Sequence, residues 1–144
     1  MQVGQILKSK ALEGIITVTP DQTVGSVAEL LSAKKIGAVI VSADGRSVDG
    51  ILSERDIVRE LGRRGAVCLE DRAQQIMTPN PVSCGIGENS DEIFGKMTEG
   101  RFRHMPVVDG DEMVGLISIG DVVKARLSEL AMEKTALEGM IMGF

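Results

Sequence analysis

The stretch Gly50-Ile-Leu-Ser-Glu-Arg-Asp-Ile-Val58 decides how this chain is read, because it returns as Gly115-Leu-Ile-Ser-Ile-Gly-Asp-Val-Val123. The Gly, the Ser, the Asp and the last Val are identical, and three further positions exchange one aliphatic residue for another. A Ser and an Asp three apart are therefore kept twice while the residues between them change.

Working outward, the likeness spreads over most of the chain, and an internal repeat of this kind sets the fold before any local reading does. Ile36–Val41 aligns with Phe102–Val107, Val24–Lys35 with Ser90–Arg101, and Ile16–Val18 with Val82–Cys84. The lead-ins agree as well: Gln5-Ile-Leu7 matches Gln75-Ile-Met77. Each copy predicts the same elements in the same order. An extended piece (Ile15–Val18) precedes a Pro-Asp-Gln-Thr turn. Val24, Val27, Ala28 and Leu31 then recur at helical spacing behind Thr23 as N-cap. In the second copy Ser90 is expected to cap, with Asp91 and Glu92 in the first turn and Ile93, Phe94 and Met97 on the apolar face. The run Gly37–Val41 has strand composition, Asp44-Gly45 marks a turn, and Val48–Ser53 forms a second strand running into a helix.

Ser53 and Asp56, like Ser118 and Asp121, thus stand at a strand-to-helix junction. One reading is a capping box, in which Ser and the acid three residues later satisfy the first free amides. Another is a ligand grip. The Gly three residues before each Ser suggests a place where something approaches the backbone closely. A carboxylate at such a junction suits the vicinal hydroxyls of a ribose.

Composition excludes several classes. The net charge of −5 and the lack of long Lys/Arg runs give no footprint for duplex nucleic acid. With 2% aromatic residues there are no stacking platforms for single strands. Apolar stretches fall short of a membrane span and the N-terminus lacks a secretory apolar segment, so a cytoplasmic chain is expected. Cys68 and Cys84 are expected as reduced thiols, although a pairing is open to them; one histidine argues against a zinc site. No Cys-His, Ser-His-Asp or metal set is visible, and a non-catalytic protein is expected.

With both G-h-h-S-x-x-D phrases (h aliphatic), the amphipathic helices and the Arg103-His-Met-Pro-Val-Val108 strand in the same order, the chain resembles a tandem pair of CBS domains over about Val3–Leu127. The resemblance implies an α+β fold of two β-α-β-β-α repeats packed as a pseudo-two-fold module. It also implies two inter-repeat sites for adenosine-containing ligands: AMP, ADP, ATP, NAD(H) or S-adenosylmethionine. Family roles carried onto this chain put Asp56, Ser53 and Thr17 in one site and Asp121, Ser118 and Ser83 in the other. Arg55, Arg103 and His104, ahead of Met105 and Pro106, are the candidate phosphate groups, while Arg101 and Arg103 as solvated strand-flanking charges are the alternative. Gly37 and Ala38 stand where the second copy has Arg103 and His104, so the cations are divided unequally and the two sites are expected to differ. Cys84 is read as packing rather than as a cleft residue.

The organisation expected is repeat 1 over 1–65, a connection and lead-in over 66–81, repeat 2 over 82–127 and a helical tail over 128–144. From Asp121 to Met142 one helical pattern carries Val123, Leu127, Leu130, Leu137 and Ile141 as an apolar stripe, broken by Lys134. Such a stripe suits a partner, a second copy of the chain above all; a helix folded back on its own module is the competing arrangement. The function expected is a regulatory sensor of adenine nucleotides that signals to a protein target. The alternative is a ligand-free interaction module working through its last helix.

Overall fold

Short β-branched runs make the sheets here, and capped amphipathic segments cover them. The computed structural model describes residues 1–10 and 14–143. In chain order the elements are α1 (Val3–Ser9), β1 (Thr17–Val18), α2 (Val24–Lys34), β2 (Ala38–Val41), β3 (Gly50–Ser53) and α3 (Glu54–Arg64). After a 3₁₀ segment (Gly65–Glu70) come α4 (Ala73–Ile76), β4 (Thr78–Pro79), α5 (Ser90–Gly100), β5 (His104–Asp109), β6 (Glu112–Ser118) and α6 (Ile119–Met142).

One sheet has the order β1-β2-β3-β4, with β1 parallel to β2 and the other pairs antiparallel. The second contains β5 and β6, antiparallel from His104↔Ser118 to Asp109↔Glu112 with an irregularity at Val107/Val108. The repeat is visible in the register. Val18 pairs with Val41 in the first copy, and Cys84 bridges Val107, also in parallel, in the second. That single bridge is all that remains of the first strand expected in the second repeat. The first-copy hairpin is shorter than Val48–Ser53 suggests, because Asp44 closes the loop with its own carboxylate. Its Oδ1 accepts from the Arg46 and Ser47 amides, both at 2.8 Å, while Gly45 takes φ +77°.

Thr23 caps α2 as its position predicts, its Oγ1 accepting from the Ser26 amide at 3.2 Å. At α5 the expectation fails. Asn89 is the cap, its carboxamide oxygen accepting from the Asp91 amide at 3.0 Å, and Ser90 is the first helical residue. Ser90 is buried because its own amide donates to the Met1 carbonyl at 2.8 Å.

That contact belongs to an exchange between the repeats. The first lead-in, α1, packs on the second repeat: Val3 and Ile6 join Ile93, Met97, Val107 and Ile117 in one core. The Val3 and Gly4 amides donate to Glu88 and Ile86, both at 2.9 Å. The second lead-in packs on the first repeat: Ala73 joins Val24, Val27, Val39 and Leu52, and β4 extends the first sheet. Burying Val3 and Ile6 completely stabilises the arrangement by about 1.5–3 kcal/mol each, so the halves are tied by two reciprocal anchors.

The exchange also explains the repeated glycine. A side chain on Gly50 would collide with the Met77 thioether and lie 2.9 Å from the Thr78 carbonyl oxygen; one on Gly115 would meet Leu7 Cδ2 at 2.7 Å. Leu7 and Met77 are equivalent residues of the two lead-ins. The close approach anticipated at these glycines is therefore made by the protein's own lead-in segments.

Candidate functional site

Both strand-to-helix junctions form the capping box in full. Ser53 Oγ accepts from the Asp56 amide at 3.3 Å while Asp56 Oδ2 accepts from the Ser53 amide at 2.9 Å and its hydroxyl at 3.0 Å. Ser118 Oγ accepts from the Asp121 amide at 3.1 Å and Asp121 Oδ2 accepts from the Ser118 amide at 2.8 Å. Capping accounts for the residue types. It does not account for the clefts that open in front of each box.

The Asp121 cleft encloses about 520 Å³. Ser118 and Asp121 of the second repeat face Ile15, Ile16, Gly37 and Ala38 of the first, with Lys10 at the end of α1. The Asp56 cleft encloses about 290 Å³ and sets Ser53, Arg55 and Asp56 against Arg101, Phe102 and Arg103 of the second repeat. Volumes of roughly 300–1,000 Å³ are those of small-molecule sites. Gly37 and His104 line both clefts. They do so as a unit: a Cβ at Gly37 would stand 3.2 and 3.3 Å from Cε1 and Nε2 of His104, so the glycine is what lets the imidazole lie against the first repeat.

The electrostatics differ between the clefts. Burial pushes the Asp121 carboxyl up, but the Lys10 ammonium and the Ser118 amide outweigh it and hold the group below the usual carboxylate range. Lys10 Nζ donates to Asp121 Oδ2 at 2.8 Å and to the Leu116 carbonyl at 3.0 Å. Asp56, more deeply buried, is ion-paired among the described residues with the mostly exposed Arg59, at 3.3 Å. Burial lowers the His104 pKa, against the pull of Glu54 and Asp121, which raises it. His104 is thus a neutral ring near pH 7, a donor or acceptor for either cleft.

Of the residues singled out in the sequence, Gly37, Ala38, Ser53, Arg55, Asp56, Arg103, His104, Ser118 and Asp121 line the clefts. Three do not. Thr17 is engaged on β1 opposite Ile40, and Ser83 is exposed because its neighbour Cys84 turns into the core. Pro106 is buried on β5, where its carbonyl accepts the Cys84 amide at 3.0 Å. The expected partnership is also crossed, since Ile15 and Ile16, just before Thr17, face Asp121 rather than Asp56. Cys84 lines neither cleft; burial first, and Glu88 second, push its thiol up to about 12. Lys10, Glu54, Thr78 and Phe102 line the clefts without having been anticipated. Of these only Glu54 carries a sequence signal, as an acid inside the repeated phrase where the other copy has Ile119.

Among the described residues no cluster of three or more His, Cys, Asp or Glu side chains could hold a metal ion, and no helix is long and apolar enough to cross a membrane. The clefts offer hydrogen-bond acceptors, a shared imidazole and rim cations, which is the chemistry of holding a polar, anionic molecule.

Comparison with known proteins agrees with this architecture. The family model described as the CBS domain matches twice, over residues 3–63 and 73–128. A CBS-domain-containing protein of Agrobacterium tumefaciens superposes with a TM-score of 0.82 at 44% identity, covering 88% of this chain and 99% of that one. A CBS-domain protein of Pyrobaculum aerophilum, solved in complex with AMP, gives a TM-score of 0.77 at 26% identity, covering 92% and 99%. A mitochondrial CBS-domain-containing protein of Arabidopsis thaliana is 30% identical over 98% of this chain and 72% of its own length. Another protein of that plant is far longer, and the chain spans 24% of it. With two matches that cover most of its length and the same two-repeat architecture, the chain belongs to the CBS-domain family as a tandem pair.

Proposed function

We propose that the protein is a non-catalytic regulatory module that binds adenosine-containing ligands, AMP, ADP, ATP or NAD(H), in the clefts between its repeats and passes the bound state to a protein partner. One observation carries this reading. Each cleft sets a Ser-x-x-Asp box of one repeat against residues of the other, so a ligand spanning the cleft touches both repeats. The AMP complex of the Pyrobaculum relative supports the adenosine assignment. In this reading Asp56 and Asp121 accept the ribose hydroxyls. Arg55, Arg101 and Arg103 take phosphate in one cleft, and His104 serves both.

A ligand bridging the repeats stabilises whichever relative setting of them it fits best, and its differential affinity for two settings is the signal. The C-terminal stretch of α6 is the element placed to transmit it, by pairing with a second copy in the cytoplasm. The experiment is a calorimetric titration with AMP, ATP, NAD⁺, NADH and S-adenosylmethionine. Saturable binding that weakens in Asp56→Asn or Asp121→Asn supports the reading. A folded protein that binds none of the five overturns it in favour of an interaction module acting through α6 alone.

A further inference from the structure

Lys10 gives the Asp121 cleft a property that the Asp56 cleft lacks. Its side chain is 31% exposed and that of Asp121 20%, so the pair is only partly hydrated. Asp121 Oδ2 is already occupied by the Ser118 amide and the Lys10 ammonium, whereas Oδ1 accepts no hydrogen bond among the described residues. A carboxylate oxygen has room for about two donors. A vicinal diol that engages both oxygens must therefore displace Lys10, because the Ser118 amide is fixed by the helix cap.

The displaced ammonium then stands in a half-buried cleft without its anion, and an unpaired charge there is unfavourable. A neutral nucleoside offers it nothing. A phosphate offers a charge-assisted hydrogen bond. The second lead-in has no counterpart: the residue matching Lys10 is Asn80, whose amide donates to the Asp49 carbonyl at 3.3 Å. The cation beside Asp56 is instead Arg59, on the Oδ1 side and mostly exposed.

We infer that Lys10 is the specificity residue of the Asp121 cleft: its ammonium transfers from Asp121 to the ligand's phosphate as the ribose is captured, so the cleft accepts phosphorylated nucleosides and disfavours free ones. This rests on the nucleotide-binding reading above. Lys10 is a positioning and selecting group and takes part in no reaction.

The test is calorimetry with adenosine and AMP on Asp56→Asn protein, in which the cap of α3 can persist and the other cleft loses its charge. The variants compared are Lys10→Met, Lys10→Gln and Lys10→Arg, with Asp121→Asn as the control that assigns binding to this cleft. The parent binds AMP about tenfold or more tightly than adenosine, the size of one charged hydrogen bond. Lys10→Met binds adenosine more tightly than the parent and AMP more weakly, bringing the two close together, and Lys10→Gln does the same. Lys10→Arg keeps the preference. An unchanged AMP-to-adenosine ratio in Lys10→Met and Lys10→Gln, or equal weakening of both ligands, overturns the inference while leaving nucleotide binding intact. A folded parent that binds neither ligand overturns the inference, and a wild-type protein that also binds neither removes the nucleotide reading with it.

Discussion

At Asp56 one carboxylate oxygen takes both the amide and the hydroxyl of Ser53, at 2.9 and 3.0 Å, while the side chain also faces the cleft. Folding and the proposed ligand binding therefore converge on the same group, and a single alanine variant mixes them. Asp56→Ala leaves the Ser53 donors without an acceptor and costs about 1–2 kcal/mol in urea denaturation. Asp56→Asn keeps an oxygen for the cap and loses the charge, so its stability stays near wild type while ligand affinity falls; equal stability losses in both would show that the charge itself holds the cap. His104, the one histidine, supplies a pH-dependent signature. Burial lowers its pKa from 6.5. As pH falls below 6.5 the unfolded chain takes up a proton that the folded protein still refuses, so stability declines with acidification until the folded pKa is passed. Denaturation midpoints measured between pH 7.5 and 5.5 should fall for wild type and stay flatter for His104→Gln. Parallel slopes would mean that the imidazole is not desolvated.

The two repeated glycines separate backbone from side-chain crowding at the level of the elements. A methyl on Gly50 meets the Met77 thioether and the Thr78 carbonyl, the latter fixed in the β3–β4 ladder; a methyl on Gly115 meets only the flexible end of Leu7. Gly50→Ala is therefore expected to cost about 1–3 kcal/mol, and Gly115→Ala less, measured by chemical denaturation. A Leu7→Ala change should relieve Gly115→Ala, while Met77→Ala should leave Gly50→Ala destabilised; full relief in the second pair would mean that the Thr78 carbonyl yields. The periodicity of α2, α5 and α6 and the two capping boxes were legible because each is written in local spacing, and twice. The exchange of α1 and α4 between the repeats was not. A lead-in has the same apolar pattern whichever core it enters, and nothing local says that Leu7 lies over Gly115 rather than Gly50. The same limit applies to the clefts. Asp56 and Asp121 stood out through the repeated motif and His104 through the family resemblance, whereas Lys10 lies outside every repeated block and owes its role to the exchange. Thr17 and Ser83 fall outside the linings of the two clefts, because alignment of the repeats gives equivalence, not the direction in which an equivalent side chain points.

Across the whole molecule, α6 divides into two parts with different surroundings. Val122 and Ala125 are buried in the second core, and Glu129 pairs with the Met1 ammonium and Arg126. Beyond Leu130 no large apolar side chain of the helix is buried: Leu137 is 59% exposed and Ile141 84%. Val123, Leu127, Leu130, Leu137 and Ile141 fall on one stripe, with Lys134 between Leu130 and Leu137, and none of them is used by the core. A contiguous apolar stripe of this length on a lone helix is unfavourable in water. The a/d-like spacing matches what a second copy would present, and Lys134 on the seam would favour some registers over others. The wild-type protein is expected to sediment as a dimer, and Leu130→Glu with Leu137→Glu as a monomer that still unfolds cooperatively in urea. Because the clefts lie within one chain, calorimetric ligand binding should survive in that monomer, while any effect of ligand on the dimer's dissociation constant is lost. A wild-type protein that sediments as a monomer would remove α6 as the coupling element. A dimer that persists in the charged variant would move the interface to another face.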